Sequence, residues 1–264
     1  MILLNGSDLS IKHLLAIADE TPLWREVAIG ALFPLDVVLP TVRAQVEAAA
    51  KNPRLLRWDI GWLADEAWER VWLTRFKPLD FGAGLWVCPS WLTPPEPTAT
   101  NIVLDPGLAF GTGTHASTAL CLEWIARHDV HGRTVLDFGC GSGILAIAAL
   151  KRGARTAVGI DVDAQALAVS RENAARNGVA AQFAALFPDA LATDTFDIVI
   201  ANILAKPLIE LAPQIAARVR AGASLLLAGL LTTQVAEVAA AYAPTFRFET
   251  HTRDEWAMLS AVRD

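Results

Sequence analysis

Val135-Leu136-Asp137-Phe138-Gly139-Cys140-Gly141-Ser142-Gly143-Ile144 is an apolar run that ends in a carboxylate and passes into a turn with glycine at every second position. Glycine lets backbone pack against a ligand where any Cβ would collide. The dinucleotide fingerprint asks for a third glycine after two intervening residues. Ile144 stands at that place, so the turn reads G-x-G-x-G and a nicotinamide dehydrogenase is disfavoured.

Outward from this run, short β-rich stretches alternate with helical patterns. Strands are expected at Thr134–Phe138, Thr156–Asp161, Ala181–Ala185, Phe196–Ala201 and Ala223–Ala228, with helices around Ile144–Lys151, Ala164–Arg176, Pro207–Arg218 and Gln234–Ala241. This spacing predicts an α/β fold with a mostly parallel, doubly wound sheet. The tail, Phe246–Thr250 and Trp256–Val262, is expected to add a closing pair of strands, the second antiparallel. Upstream, Trp24–Phe33 reads as a strand, Asp36–Ala50 as a helix, Leu55–Leu63 as a strand and Asp65–Phe76 as an amphipathic helix carrying Trp68 and Trp72 one turn apart. The prolines at 94, 95 and 97 mark a boundary or surface loop.

Asp161 ends the second strand of the large unit, 22 positions after Gly139. That is close to the spacing of roughly 20 at which an acid accepts from a ribose in α/β nucleoside sites. Either feature alone reads as a structural turn or a surface acid; jointly they read as a site for an adenosine-bearing ligand. Asn202 follows the strand at Phe196 and falls at the same carboxyl edge, where its amide can accept from an amine N–H or cap the next helix. Leu104–His115 is a glycine-bearing loop that leads into a helix from Ala116, and Thr114, Ser117 or Thr118 are candidates to cap that helix or reach a ligand. No lysine occurs between Pro106 and Arg127, which rejects a P-loop NTPase. His115 has no second His or Cys at ligand spacing and reads as structural, and the five histidines are scattered. Hydrolase and metalloenzyme motifs are missing, so no metal is expected.

The chain has 264 residues, 53% apolar and 19% charged, which suits a globular protein of one large domain or of one domain and a smaller one. A net charge of −6 argues against direct nucleic-acid binding and tolerates a basic polypeptide substrate. Three cysteines cannot all pair and show no zinc or redox spacing, so Cys88, Cys121 and Cys140 read as reduced, buried thiols. No leader and no apolar run of membrane length is evident, and the expectation is a cytoplasmic protein with no membrane association. The dense tryptophans before the proline-rich segment read as core rather than as a nucleic-acid stacking platform, since basic residues do not interleave with them.

The order of glycine turn, acid after the second strand and Asn after the fourth resembles class I S-adenosylmethionine-dependent methyltransferases. More specifically, the chain resembles the bacterial ribosomal protein L11 methyltransferase (PrmA) family. The stretches that carry the resemblance are Trp68–Trp72, Phe76–Pro78, Leu85–Trp91, Leu104–His115, Asp137–Ile147, Gly159–Asp161 and Ala201–Leu204, covering the chain from about Asp65 onward. The resemblance implies a Rossmann-like domain that binds S-adenosyl-L-methionine, with Gly139 lining the methionine and ribose side, Asp161 on the ribose hydroxyls, and Thr118 and Asn202 at the cofactor or reaction centre. It implies N-methylation of lysine ε-amines and the N-terminal α-amine of a large-subunit ribosomal protein; a monomer is expected. Asn202 then orients the amine, with no general base of the usual kind.

Family members carry an N-terminal α+β recognition domain that opens with strand, helix and strand, whereas 23 residues precede Trp24 here. The domain is therefore expected to be incomplete, through truncation, a misassigned start or reduction in this lineage. The division expected is 1–64 for a reduced α+β recognition domain, 65–98 for a linker helix and connecting segment, and 99–264 for the methyltransferase domain. The alternatives are a methyltransferase for another protein or a small molecule, and a cofactor-binding interaction module without turnover.

Overall fold

The computed structural model describes residues 2–5, 29–33, 37–49, 57–58, 76–105, 113–243 and 245–263. Contacts divide the chain into two compact units, Met1–Glu66 and Ala67–Asp264. In the first, β1 (Ile2–Asn5) pairs in parallel with β2 (Ile29–Leu32), from Ile2 opposite Ile29 to Asn5 opposite Leu32. The sequence reading placed no element at Ile2–Asn5. The expected strand from Trp24 is described over 29–32 only, and the helix expected from Asp36 is α1 (Leu39–Ala49). Arg57 and Trp58 lie in no regular element, and the rest of the Leu55–Leu63 strand, like the Asp65–Phe76 helix up to Arg75, falls outside the described residues.

The second unit opens with a small sheet of β3 (Leu79–Asp80), β4 (Leu85–Cys88) and β5 (Thr100–Val103), in which β3 is antiparallel and β5 parallel to β4. The proline-bearing stretch is the connection between β4 and β5, built of turns and bends. Leu85, Val87 and Ile102 are buried in one core with Leu120, Leu122 and Ile125 of α2 (Ala116–Arg127) and Ile144 and Ile147 of α3 (Ile144–Lys151). Asn177 fastens this sheet further on, because its amide exchanges hydrogen bonds with Val103, accepting from its N–H and donating to its carbonyl at 2.8 Å each.

Seven strands form the main sheet: β6 (Thr134–Phe138), β7 (Thr156–Ile160), β8 (Phe183–Leu186), β9 (Phe196–Asn202), β10 (Val219–Leu231), β11 (Glu249–Arg253) and β12 (Trp256–Val262). Their order is β11-β12-β10-β9-β6-β7-β8; β8 to β10 run parallel and β12 is antiparallel to both neighbours. The doubly wound sheet and the antiparallel β12 are as the sequence predicts, whereas the other closing strand is β11 at Glu249–Arg253, three residues beyond the expected Phe246–Thr250. Alternation along the strands builds two layers of core. Val135, Ile198, Ile200, Leu226 and Ala228 face α2 and α3, whereas Leu136, Val199, Ala201, Leu225 and Leu227 face α5 (Ala205–Glu210), α6 (Ala212–Ala217) and α7 (Val235–Tyr242). The expected single helix over Pro207–Arg218 is two, broken at Leu211, with Pro213 in the first turn of α6 where it needs no donor. α4 (Ala164–Arg176) is capped by Asp163, whose carboxylate accepts from the Gln165 N–H at 2.8 Å.

The three cysteines are free and buried, and burial pushes the thiols of Cys121 and Cys140 well up, so both are protonated. Among the described residues, no helix is long and apolar enough to cross a membrane.

Candidate active site

In an open α/β sheet, ligands bind outside the carboxyl ends of the strands where the strand order reverses. Here that point lies between β6 and β9, since β6 leads to β7 on one side and β9 to β10 on the other. Gly139 follows β6, Asp161 follows β7 and Asn202 ends β9, so the topology brings all three to one edge.

The turn after β6 is held by its neighbour. The N–H groups of Gly139 and Cys140 donate to the carbonyl of Ile160 at 2.8 and 2.9 Å. The Gly141 N–H donates to Asp161 Oδ2 at 2.9 Å, and Asp161 Oδ1 accepts from the Asp163 N–H at 3.0 Å. Asp161 therefore anchors the glycine turn, a task the sequence reading did not assign to it. A carboxylate offers about four lone-pair sites, so with one backbone donor on each oxygen it retains capacity for the two hydroxyls of a ribose.

Asn202 lies on the α2 face of β9, in step with Ile198 and Ile200. Its Nδ2 donates to Thr118 Oγ1 at 3.2 Å, and Thr118, in the first turn of α2, is only 3% exposed. With Nδ2 committed to Thr118, the amide presents Oδ1 as the atom able to accept from an amine. The cap of α2 is His115 rather than Thr114, Ser117 or Thr118: its Nδ1 accepts from the Ser117 N–H at 3.3 Å and its ring meets Trp256 edge-on at 4.4 Å. His115 thus serves the helix end, the structural reading made of it, while residues 106–112 of the preceding loop lie outside the described residues. Gly139 has φ +78°, and a Cβ there would collide with the side chain of Ile203. The requirement for glycine at 139 comes from the chain's own Ile203 as well as from any ligand.

Asp137 is 1% exposed behind the turn. Burial pushes its pKa up to about 7, against the N–H of Ala146, which bonds its Oδ2 at 3.2 Å, and with help from the charge of Asp161. Three exposed apolar side chains to which motif reading gave no role line the same edge: Val162 (83% exposed) after Asp161, Phe187 (48%) after β8 and Leu204 (68%) after β9. Single exposed apolar residues are ordinary. The available signal was their common position just past a parallel strand, where a polar loop residue is usual.

A parallel core wound both ways from β6, an antiparallel closing pair, a G-x-G-x-G turn and an acid after the second strand together define a Rossmann-like, class I methyltransferase. The model of one family, "Ribosomal protein L11 methyltransferase (PrmA)", matches residues 7–264. The chain is 48% identical over 246 residues to the ribosomal protein L11 methyltransferase of Aliivibrio salmonicida, and 49% over 245 to that of Azotobacter vinelandii. Both alignments take in 92% of this chain and 84% of the relative. A crystal structure of ribosomal protein L11 methylase from Lactobacillus delbrueckii subsp. bulgaricus superposes with a TM-score of 0.66 at 32% identity, over 72% of this chain and 100% of that one. The chain belongs to the ribosomal protein L11 methyltransferase family.

Proposed function

We propose that this enzyme transfers methyl groups from S-adenosylmethionine to lysine ε-amines and the N-terminal α-amine of ribosomal protein L11, with Thr118, Gly139, Asp161 and Asn202 as its cofactor and reaction-centre residues. The observation that carries the assignment is the linked pair Thr118–Asn202 beside a glycine turn tied to Asp161. The residues fit the cofactor: a ribose would find the spare lone pairs of Asp161, a base would find the exposed apolar Val162 and Phe187 on the same edge, and the turn carries three glycines with positive φ at 139, 141 and 143. When bound, S-adenosylmethionine supplies a methyl group on a sulfonium whose sulfur leaves neutral, so no strong acid is required.

The chain's own residues then have to position an amine. Asn202 Oδ1 accepts from the amine N–H and leaves the nitrogen lone pair directed elsewhere; it removes no proton itself. An ordinary lysine has a pKa near 10.4, so withdrawal from water at the site favours the neutral amine and its proton goes to solvent. Thr118 holds the amide in register. The excess of acidic over basic residues, 28 to 22, supports a basic polypeptide rather than a nucleic acid as partner.

We assign substrate recognition to residues 1–64, a reading supported by the break in contacts after Glu66. The burial of Leu85, Val87 and Ile102 beside α2 and α3 favours a catalytic half that begins ahead of β3 rather than at 99. Asn202→Ala tests the reaction-centre reading: cofactor binding is expected to persist while methylation falls steeply. Undiminished methylation by that variant removes Asn202 from the mechanism.

A further inference from the structure

The turn Asn202-Ile203 is gripped from two sides, and only one of them belongs to the motifs discussed above. On the β6 side, the Ile203 side chain fills the space a Cβ on Gly139 would occupy. On the β10 side stands Gly229, with φ +84°. A Cβ on Gly229 would collide with the Ile203 carbonyl oxygen and would lie 2.9 Å from its carbonyl carbon and 3.1 Å from Asn202 Oδ1. Gly229 is the extra residue of a bulge, because β10 pairs Ala228 with Met258 and Leu230 with Ala257. A bulge with a left-handed glycine turns the backbone locally and re-aims what packs on it. The contact on this side is backbone, so no rotamer change relieves it.

We propose that Gly229 is a positioning residue: its missing side chain lets the Ile203 peptide and the Asn202 amide settle against β10, which fixes where Asn202 Oδ1 meets the acceptor amine. This rests on the reading of Asn202 as the group that orients the amine. Alanine at 229 would lift the turn by the overlap it creates, and misplacement on the scale of 1 Å costs roughly a hundredfold in rate.

The test uses the full chain with Gly229→Ala and, as control, Gly222→Ala. Gly222 lies in the same strand with φ +73° and has nothing within 4 Å of a built Cβ. The control therefore carries the same left-handed strain without touching Asn202. Turnover, cofactor titration and the side-chain amide resonances of Asn202 are measured for both. The expected result is a fall in kcat of about 10- to 100-fold and displaced Asn202 resonances for Gly229→Ala alone, with cofactor affinity changed less than kcat. Equal losses in the two variants, or unmoved Asn202 resonances in Gly229→Ala, overturn the proposal. Displaced resonances with unchanged kcat overturn the role of Asn202 and, with it, the positioning role. Should Gly229→Ala not fold, nuclear Overhauser contacts in the wild-type chain between the Gly229 α-protons and the Asn202 and Ile203 protons are expected, and their absence overturns the proposal.

Discussion

Asp137→Asn should remove a loss of stability that the burial of Asp137 predicts as pH rises. Asp137 is buried in the layer that holds Cys121, and burial lifts its pKa from 3.8 to about 7. Between those values the folded chain keeps a proton that the unfolded chain has released. The stabilisation is thus complete below about pH 3.8 and disappears as pH climbs to about 7. At 1.36 kcal/mol per unit, the shift is worth about 4 kcal/mol, of which about 2 falls between pH 5 and pH 7 and about 3 between pH 5 and pH 8. Asparagine keeps an oxygen for the Ala146 N–H and has nothing to titrate. Urea unfolding of both chains from pH 5 to pH 8 measures the difference directly. The variant is expected to gain about 3 kcal/mol on the wild type across that range, whatever constant offset its buried NH2 introduces. Parallel curves for the two chains would refute the assignment of this pH dependence to Asp137.

Asp161→Ala removes the acceptor of the Gly141 and Asp163 N–H groups. At about 1 kcal/mol per lost bond, with ribose contacts in addition, cofactor affinity is expected to fall at least about tenfold; an unchanged Kd by titration speaks against a ribose role. Thr118→Val keeps the shape but takes away the oxygen bonded to Asn202 Nδ2. The expected result is a kcat lowered about five- to tenfold with a smaller change in cofactor Kd, read from steady-state methylation beside a binding titration. Tyr242→Phe strands the Leu208 carbonyl that its hydroxyl bonds at 2.9 Å, tying α7 to α5. It should cost about 1–2 kcal/mol in denaturant unfolding and leave turnover alone.

The parts of the fold that could be read in advance are those with local punctuation. α3 begins after Gly143 and α4 after the capping Asp163, and both helices span the residues the sequence pattern indicates. Where long-range pairing decides, the pattern is silent. β1 has four residues and pairs with a strand more than twenty positions on, which no local periodicity reports. β10 extends well before Ala223, because Val219 pairs with Phe196 and the register shifts over the intervening small and polar residues. Site residues followed the same division. Gly139, Asp161, Asn202 and Thr118 were singled out in sequence, yet the bond from Asp161 to Gly141 and that from Asn202 to Thr118 belong to the folded edge. His115 was passed over as a cap because imidazole is an unusual one. Gly229 was invisible for a plainer reason: its importance lies in what faces it across the sheet, and nothing in Leu227-Ala228-Gly229-Leu230 says that Ile203 does.

The most direct measurement is the intact mass of purified ribosomal protein L11 after incubation with this enzyme and S-adenosylmethionine, followed by fragmentation to locate the modified nitrogens. Mass gains in whole methyl steps, confined to lysine side chains and the amino terminus, are the predicted result. Cofactor binding in a parallel titration with no mass gain on L11, or methyl groups on other atoms, would contradict it.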